Sequence, residues 1–177
     1  MKSFEIENIK KGNIVLYEQY FKYYYEKLVY FSYRYVKNEQ AAEDVVHDVF
    51  VNIWKNRKKL DFSDNFKLYL YSAVRNQSLK YNEKINKFIS GGDIDVELIT
   101  DKKNPEYLLI KDEFDKALSE AISELPEKRR EIFYMHRFDQ LTYAEIAATL
   151  NLSIKTVENQ MSRALKYLRE RLSFLLK

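Results

Sequence analysis

Three features of the sequence predict an all-α fold, which 177 residues could form as one ordinary domain or two small ones. Only 3 Gly and 2 Pro occur among the 177 residues, so few positions favour a break between helices. Hydrophobic residues make up 46% of the chain, which is enough for folded cores. These residues recur at steps of three and four positions, the spacing of one helical face. We therefore expect helices joined by few turns.

The first long pattern, at residues 13–36, is dense in Tyr and Phe. It predicts a helix, because strands seldom run past about ten residues and no Gly or Pro interrupts this segment. The aromatic stripe along it is expected to be core, while a platform on which bases stack is the alternative. The stripe comprises Leu16, Tyr20, Tyr23, Tyr24, the stem of Lys27, Leu28, Phe31 and Tyr35.

The most regular pattern follows at residues 39–57 and predicts a helix with one fully buried face. The opposite face carries Asp44 and Asp48, at the i,i+4 spacing where like charges repel, together with Asn52. This polar face is either an ordinary solvated surface or a docking surface for a partner with basic helices. The residues of the buried face are Ala42, Val45, Val46, Val49, Phe50, Ile53 and Trp54.

A polar loop with a lone Phe62 occupies residues 58–65, and a further helix is predicted from about Phe66. One face of this helix is expected to pack in the core and includes Phe66, Tyr69, Leu70, Ala73, Val74, Gln77 and Tyr81. The other face mixes cations, amides and aromatic rings, which suits contact with a nucleic-acid backbone and exposed bases. It comprises Lys67, Tyr71, Arg75, Asn76, Ser78, Lys80 and Asn82.

The composition changes at residues 86–105, which contain two of the three glycines and end at Pro105. We interpret this segment as a flexible linker between domains at residues 1–85 and 106–177. In the second domain a helix is expected from Glu106 to about Leu125, and Pro126 suits the first turn of the next helix. Residues 1–89 carry 16 Lys and Arg against 11 Asp and Glu, an excess that suggests a contact surface in the first domain.

Residues 141–172 have the pattern of a helix-turn-helix. Thr142 and Glu145 form a capping box, Asn151 suits a left-handed helix end, and Ser153 caps a second helix. The apolar stripe of this second helix comprises Val157, Met161, Ala164, Leu165 and Leu168. The positions that lie away from the stripe can bond to base edges and phosphates, although a solvated amphipathic face has the same appearance. They include Lys155, Thr156, Glu158, Asn159, Ser162 and Arg163.

This short pattern resembles two families, the C-terminal module of LuxR-type regulators and region 4 of bacterial sigma factors. The run AAEDVVHDVFVNIWKNR, followed by a loop and FKLYLYSAVRNQSL, resembles sigma region 2. The later run, LPEKRREIFYMHRFDQLTYAEIAATLNLSIKTVENQMSRALKYLRERL, resembles region 4. Both occur in the family order, so the chain resembles the two-domain sigma factors of the extracytoplasmic-function type in the sigma-70 family.

The resemblance implies a transcription initiation factor that binds core RNA polymerase and directs it to promoters. It implies that Asp44, Asp48 and Asn52 contact the polymerase and that the helix-turn-helix residues contact the −35 element. It also implies recognition and melting of the −10 element by Phe62, Asn65, Arg75, Asn76 and Lys80. An anti-sigma partner is a further family expectation. The alternative function is a LuxR-like DNA-binding regulator with an N-terminal helical sensor or dimerisation domain.

Catalytic, metal and cofactor sites are not expected. The chain has no Cys, its only histidines are His47 and His136, far apart in sequence, and no HExxH or glycine-rich phosphate loop occurs. The first residues lack the apolar core of a signal peptide, and no apolar run approaches the roughly 18 residues of a membrane span. We therefore expect a cytoplasmic protein that does not insert into membranes.

Overall fold

The computed structural model describes residues 3–59, 65–90 and 113–173, and every regular element in these ranges is an α-helix. The predicted all-α class is confirmed. The chain forms two compact units, Met1–Lys103 and Asn104–Lys177. The helices are α1 (Ser3–Lys10), α2 (Ile14–Val36), α3 (Glu39–Asn56), α4 (Phe66–Ser90), α5 (Glu113–Ser123), α6 (Glu127–Arg137), α7 (Tyr143–Leu150) and α8 (Ile154–Arg171).

In the first unit α2, α3 and α4 pack against one another, and α1 packs against α2. Two Asn side chains begin helices here: Asn13 Oδ1 accepts a hydrogen bond from the Leu16 amide at 3.0 Å, and Asn38 Oδ1 accepts one from the Ala41 amide at 2.8 Å. Between α2 and α3, Lys37 has a left-handed backbone with φ 57°. Capping and one left-handed residue therefore turn the chain back within two positions.

The predicted apolar face of α3 is confirmed. Every predicted position except Trp54 is buried, and Ala41 joins them. Trp54 is half-buried between the ring of Tyr17, 5.0 Å away, and the guanidinium of Arg57, 4.3 Å from its ring centre. Strict three-and-four spacing identified this face correctly because α2 and α4 together cover the whole of it.

The predicted stripe of α2 is wrong in part. Tyr23 is 62% exposed, and Lys27 is also exposed, with its Nζ atom 3.8 Å from the Tyr23 ring centre. The neighbouring helices cover an arc of α2 that is turned away from these two residues, because α2 packs on both α3 and α4. The residues that are buried are Tyr17, Leu28, Phe31, Ser32, Tyr33 and Val36.

Two residues expected on the outer face of α4 lie in the core instead. Tyr71 is 1% exposed and packs edge-on against Phe31, with ring centres 5.0 Å apart. Ser78 is fully buried, and its Oγ atom lies 2.9 Å from Ser32 Oγ and donates to the Val74 carbonyl at 2.8 Å. Because α4 contacts both α2 and α3, its buried arc is wider than a single stripe predicts.

Helix α4 continues through Ser90, and the domain boundary expected at residue 85 stays a prediction. Residues 86–90 contain no Gly or Pro, and nothing local ends the helix before Gly91. Phe62, the remainder of the expected linker at residues 91–105, and the expected helix start at Glu106 lie outside the described residues.

Helix α1 was not expected from the sequence, because its eight residues show only a short apolar pattern. Ile6 and Ile9 bury their side chains, and Tyr20 of α2 donates a hydrogen bond to Glu5 Oε2 at 2.8 Å. Gly12 follows with φ +97°, a conformation that side-chain-bearing residues rarely adopt. This glycine lets the chain reverse between α1 and α2.

In the second unit α5, α6 and α8 share a core, and α7 packs on α6 and α8. The predicted stripe of α8 is confirmed except at Leu165, which is 49% exposed. Leu165 follows Ala164 by one position, which turns it about 100° around the helix and away from α5. The core contains Ala121, Ile122, Leu125, Phe133, Met161, Ala164, Leu168 and Leu172.

The buried hydroxyl of Tyr17 provides a test of how the core of the first unit is packed. It donates to the Phe50 carbonyl at 2.7 Å, and burial, with a smaller effect of nearby Tyr69, raises its pKa above the usual value. We expect Tyr17→Phe to lower the free energy of unfolding near neutral pH by about 1 kcal/mol. Denaturation followed by the fluorescence of Trp54, the only tryptophan, measures this unit selectively.

The pH dependence of the same variant has a definite sign. Above pH ~10 the unfolded chain loses the Tyr17 proton while the folded chain keeps it, so wild-type stability falls as the pH rises. Tyr17→Phe should therefore lose less stability above pH ~10 than the wild type. Tyr23→Phe, at an exposed ring, is the matched control and should change neither quantity. Equal alkaline losses in wild type and Tyr17→Phe would contradict the assignment.

Candidate nucleic-acid interface

The capping box that begins α7 is present as predicted. Thr142 Oγ1 accepts from the Glu145 amide at 3.2 Å, and Glu145 Oε2 accepts from the Thr142 amide at 2.8 Å. Two early amides of α7 thus have partners from the same four-residue segment. Ile146 and Ala147 then bury their side chains toward the other helices of the unit.

The turn after α7 also follows the sequence prediction. Asn151 is left-handed, with φ 55° and ψ 48°, and its amide donates to the Ala147 carbonyl. Ser153 Oγ accepts from the Thr156 amide at 3.0 Å and so begins α8. Residues 151–153 therefore connect two packed helices in the geometry of a helix-turn-helix.

Helix α8 presents most of its predicted DNA-contacting residues to solvent. Lys155, Asn159, Ser162 and Arg163 are exposed on the side opposite the buried stripe. This side has donors and acceptors that suit base edges and phosphates.

Two of the six predicted residues are half-buried and already bonded. The Thr156 hydroxyl lies 2.8 Å from Ser153 Oγ at the helix cap. Glu158 Oε2 lies 3.5 Å from Lys155 Nζ, so its negative charge is set against a neighbouring cation. In the free protein Glu158 therefore reduces the positive potential that Lys155 offers to a phosphate.

Two exposed apolar residues at the start of α8 were not identified from the sequence as candidates. Leu152 is 40% exposed and Ile154 is 49% exposed, immediately before and within the first turn of the helix. Aliphatic side chains at such positions can contact the methyl group of thymine. The only signal in the sequence is that both fall outside the buried three-and-four spacing.

Polar contacts from α6 and from Glu124, which follows α5, fix the position of α8 in its unit. Arg171 donates to both carboxylate oxygens of Glu124, at 3.0 and 3.1 Å, and the Tyr167 hydroxyl donates to the same carboxylate. These hydrogen bonds, the Arg171 bond first, hold the pKa of Glu124 below its usual value. On α6, Arg129 Nε donates to Gln160 Oε1 at 3.2 Å. The middle of α8 and its C-terminal end thus both have polar contacts to the rest of the unit.

In the first unit the three predicted polymerase-contacting residues are exposed on α3. Asp44 has one weak neighbour contact, from Gln40 Nε2 at 3.5 Å, and Asp48 and Asn52 follow at one-turn intervals. Because successive i,i+4 positions lie on one side of a helix, the three side chains form a single polar row. This row can accept hydrogen bonds and attract cations.

A groove of about 440 Å³ runs between α3 and α4 and joins two sets of predicted residues. Asp48 and Asn52 line it from α3, and Asn76 and Lys80 line it from α4. Two of the residues predicted to contact polymerase and two of those predicted to contact the −10 element therefore border the same groove. Exposed Val51 and half-buried Ala73 provide apolar surface between them.

Neither Asn65 nor Arg75, the other described −10 candidates, lines this groove. Asn65 Oδ1 accepts from the Leu68 amide at 2.9 Å and so caps α4. Arg75 is half-buried with its guanidinium 5.9 Å from the Tyr35 ring centre. Asn65 thus has a structural bond that competes with any contact to DNA, and Phe62 lies outside the described residues.

Other kinds of site have little support in the described residues. No group of three or more His, Asp or Glu residues in these ranges could hold a metal ion. His136 Nδ1 lies 3.0 Å from the Leu141 carbonyl, which gives the ring a structural partner. Of the helices described, none is both long and apolar enough to cross a membrane.

Family models match both units of the chain. Residues 20–87 match the model of sigma-70 region 2, and residues 115–168 match the model of sigma-70 region 4. The two matches together cover more than half of the chain. The first contains α3, most of α2 and the groove, and the second contains the helix-turn-helix.

Curated relatives and solved structures agree with these matches. The ECF RNA polymerase sigma factor SigW of Bacillus subtilis (strain 168) is 25% identical over 179 aligned positions, covering 94% of each chain. The ECF RNA polymerase sigma-E factor of Escherichia coli (strain K12) is 24% identical and covers 90% of this chain and 87% of that protein. The sigma factor RpoE of Bartonella quintana, solved with the anti-sigma factor NepR, shares the fold with a TM-score of 0.65, 23% identity and coverage of 88% and 96%.

Proposed function

The chain belongs to the sigma-70 family as an RNA polymerase sigma factor of the extracytoplasmic-function type. From this we propose which of its surfaces bind core RNA polymerase, the −10 element and the −35 element. It is a transcription initiation factor that directs RNA polymerase to promoters. Such factors are regulatory proteins rather than enzymes. The single observation that carries this function is the presence of both region 2 and region 4 in one chain. A LuxR-like regulator is not favoured, because a regulator of that type does not contain region 2.

We propose that the polar row of α3, which we call the acidic row after its two aspartates, docks on basic helices of core RNA polymerase. Asp44, Asp48 and Asn52 are exposed on one side of the helix, and the core behind them is rigidly packed. Two carboxylates one turn apart repel each other in the free protein, and a basic partner relieves that repulsion. The surface therefore gains more from binding a cationic helix than an isolated carboxylate does.

We propose that the groove face of α4 contacts the −10 element. Asn76 and Lys80 supply an amide and an ammonium group next to the α3 residues, and Arg75 supplies a further cation. Phosphate contacts from such groups position the strand, while an unstacked base requires a pocket that competes with stacking, worth ~1 to 3 kcal/mol per base. With the polymerase contacts on the facing helix, opened DNA would be held beside the enzyme.

We propose that α8 enters the major groove of the −35 element. Lys155, Asn159, Ser162 and Arg163 are its exposed base- and phosphate-contacting residues, with Thr156 and Glu158 at the edges of this face. Glu158 can accept from a cytosine amino group once Lys155 turns to a phosphate. Leu152 and Ile154 add apolar surface at the helix start.

Two further proposals follow from the family. The Bartonella quintana relative was solved in complex with an anti-sigma factor, and we propose that a protein of that class also controls this chain.

Because the partners of this chain are core RNA polymerase and promoter DNA, we propose that the chain acts in the cytoplasm. The expected domains, residues 1–85 and 106–177, would then be the polymerase and −10 domain and the −35 domain.

Reconstituted transcription tests the function directly. Core RNA polymerase with the full chain should start transcripts from a subset of genomic promoter fragments, and core enzyme alone should start none of them. A severed first domain that still binds core polymerase would support the assignment of region 2. Specific DNA binding without any promoter-dependent transcript would instead support a plain regulator.

The docking surface is tested by charge reversal. We expect Asp44→Lys with Asp48→Lys to abolish co-purification with core polymerase, because the acidic row becomes basic and meets a basic partner. Glu26→Lys with Glu83→Lys reverses the same number of exposed charges elsewhere in the unit and should leave assembly unchanged. Trp54 fluorescence should show that both variants stay folded. Normal assembly of the α3 variant would rule the docking surface out.

The −35 contacts are tested on α8. Arg163→Ala and Asn159→Ala should each weaken promoter binding by the polymerase complex about tenfold or more, since a good side-chain contact to a base is worth ~1 to 3 kcal/mol. Arg169→Ala removes an exposed cation further along the same helix and is the control. Binding to core polymerase should not change in any of the three. Its loss in Arg163→Ala or Asn159→Ala would contradict the division between the two units.

A further inference from the structure

A single carboxylate outside α8 is bonded to two side chains of that helix. Glu124, the residue after α5, accepts from Arg171 Nε at 3.0 Å and from Arg171 Nη2 at 3.1 Å. The Tyr167 hydroxyl donates to the same oxygen as Arg171 Nε. Both carboxylate oxygens thus have partners on α8, in the bidentate geometry that gives an arginine and a carboxylate direction as well as strength.

The backbone of Glu124 is itself held by its unit. The next residue, Leu125, is 2% exposed and lies in the core. The residue before it, Ser123, has its carbonyl bonded to Arg130 Nη1 of α6 at 2.6 Å. The amide of Glu124 donates to the Glu120 carbonyl at 3.1 Å, which continues the helical bonding of α5 by one residue. Glu124 is therefore a fixed point to which α8 is attached.

The two bonded residues of α8 continue the row that is proposed to contact DNA. Positions four apart lie on the same side of a helix as their neighbours in such a row. The row comprises Asn159, Arg163, Tyr167 and Arg171. Asn159 and Arg163 are exposed, whereas Tyr167 is half-buried and packs against the core. One row thus has the groove-contacting residues in its first half and the residues bonded to Glu124 in its second half.

Apolar packing and hydrogen bonds constrain the rotation of α8 differently. The hydrophobic effect that holds the buried stripe has no preferred direction. A rotation by about 20° would move the end of a side chain that lies ~5 to 6 Å from the helix axis by about 2 Å. Hydrogen-bond lengths span only about 0.5 Å, so such a rotation would break the bonds to Glu124. These bonds therefore oppose a rotation that the stripe alone resists less.

The protonation states of the three groups favour the bonded arrangement. The hydrogen bond from Arg171, followed by that from Tyr167, lowers the pKa of Glu124, so the carboxylate is ionised at neutral pH. The hydrogen bond to Glu124 raises the pKa of the Tyr167 hydroxyl, which keeps the proton that it donates. The side chains of Arg171 and Glu124 are 45% and 40% exposed, so water screens their attraction and the contact adds little to stability.

We infer that Glu124 is a positioning residue for recognition of the −35 element. Through Arg171 and Tyr167 it sets the rotation of α8, and this rotation decides how accurately the exposed residues of the helix meet base edges. Groups that recognise a ligand must be held within about 0.5 Å of the productive geometry by the residues behind them. The inference rests on the proposed function and extends it to a residue that acts without touching DNA. Arg171 follows residues 115–168, so the region 4 match does not include it.

Base discrimination is the quantity that tests this role. The complex of full chain and core polymerase is titrated with a promoter fragment that it transcribes, and with the same fragment carrying a replaced −35 element. Glu124→Gln keeps the size of the side chain but removes its charge and the bidentate pair. We expect the ratio of the two affinities to fall about fivefold, part of the factor of about ten or more that one good base contact provides. A loss of folded protein would lower both affinities equally and leave the ratio unchanged.

The matched control is Glu120→Gln, which makes the same change in charge one turn earlier, at an exposed position of α5. The hydrogen bond from Glu124 is the largest cause of the raised pKa of Arg171, and Glu120 adds a smaller through-space effect. The control thus alters the charge near Arg171 without breaking its hydrogen bonds. Its affinity ratio should equal that of the wild type, and both variants should unfold thermally at the same temperature.

A double variant tests whether Glu124 and Arg171 act as one unit. Arg171→Gln should lower the affinity ratio by about the same factor as Glu124→Gln. Glu124→Gln with Arg171→Gln should lower it no further, because each single change already removes the shared contact. Two groups that acted on DNA independently would multiply their effects, to about twenty-fivefold.

The outcomes separate this role from the proposed function. If Glu124→Gln discriminates as the wild type does, the positioning role is overturned and the proposed function stands. If Glu120→Gln lowers the ratio as much, charge near α8 is the cause and the inference is overturned. If the effects of Glu124→Gln and Arg171→Gln multiply, Arg171 acts without Glu124, and the inference is again overturned. If the wild-type complex does not distinguish the two fragments, the proposed −35 contacts fail and this inference fails with them.

Discussion

The first unit depends on the burial of aromatic side chains of α2 against α3 and α4. Tyr17 packs on Phe50 and Trp54, and Phe31 packs on Tyr71 across the core. Large rings bury much apolar area each and prefer edge-to-face contacts, which fix the angle between helices. Because three helices share one aromatic core, the outward face of α3 and the groove beside α4 have a defined geometry.

In the second unit, packing and local caps set the position of α8. Helix α8 must bury one stripe for stability and still present a polar face to solvent. Local caps at Thr142 and Ser153 set where α7 and α8 begin, and the Glu124, Tyr167 and Arg171 contacts hold the far end of α8. The exposed ion pair contributes little energy in water, so its main effect is on position.

Charge is distributed unevenly over the first unit. Asp44 and Asp48 are exposed on α3, and Asp48 lines the groove together with Lys80 of α4. Complementary charge between two surfaces steers their encounter, so the acidic side chains of α3 favour a cationic partner. The net charge of +3 does not reveal such local differences, because it is the sum of 30 Lys and Arg and 27 Asp and Glu over the whole chain.

The sequence by itself determined the helices, their caps and the helix-turn-helix, because these depend on residues within one or two turns of each other. Thr142 with Glu145, Asn151 and Ser153 are local signals of this kind, and so is the regular face of α3. Only the tertiary structure decided which arc of a helix is covered, since that depends on how many neighbours it has. It buried Tyr71, exposed Tyr23 and Leu165, and brought Gly12 to Arg57, contacts that no local pattern encodes.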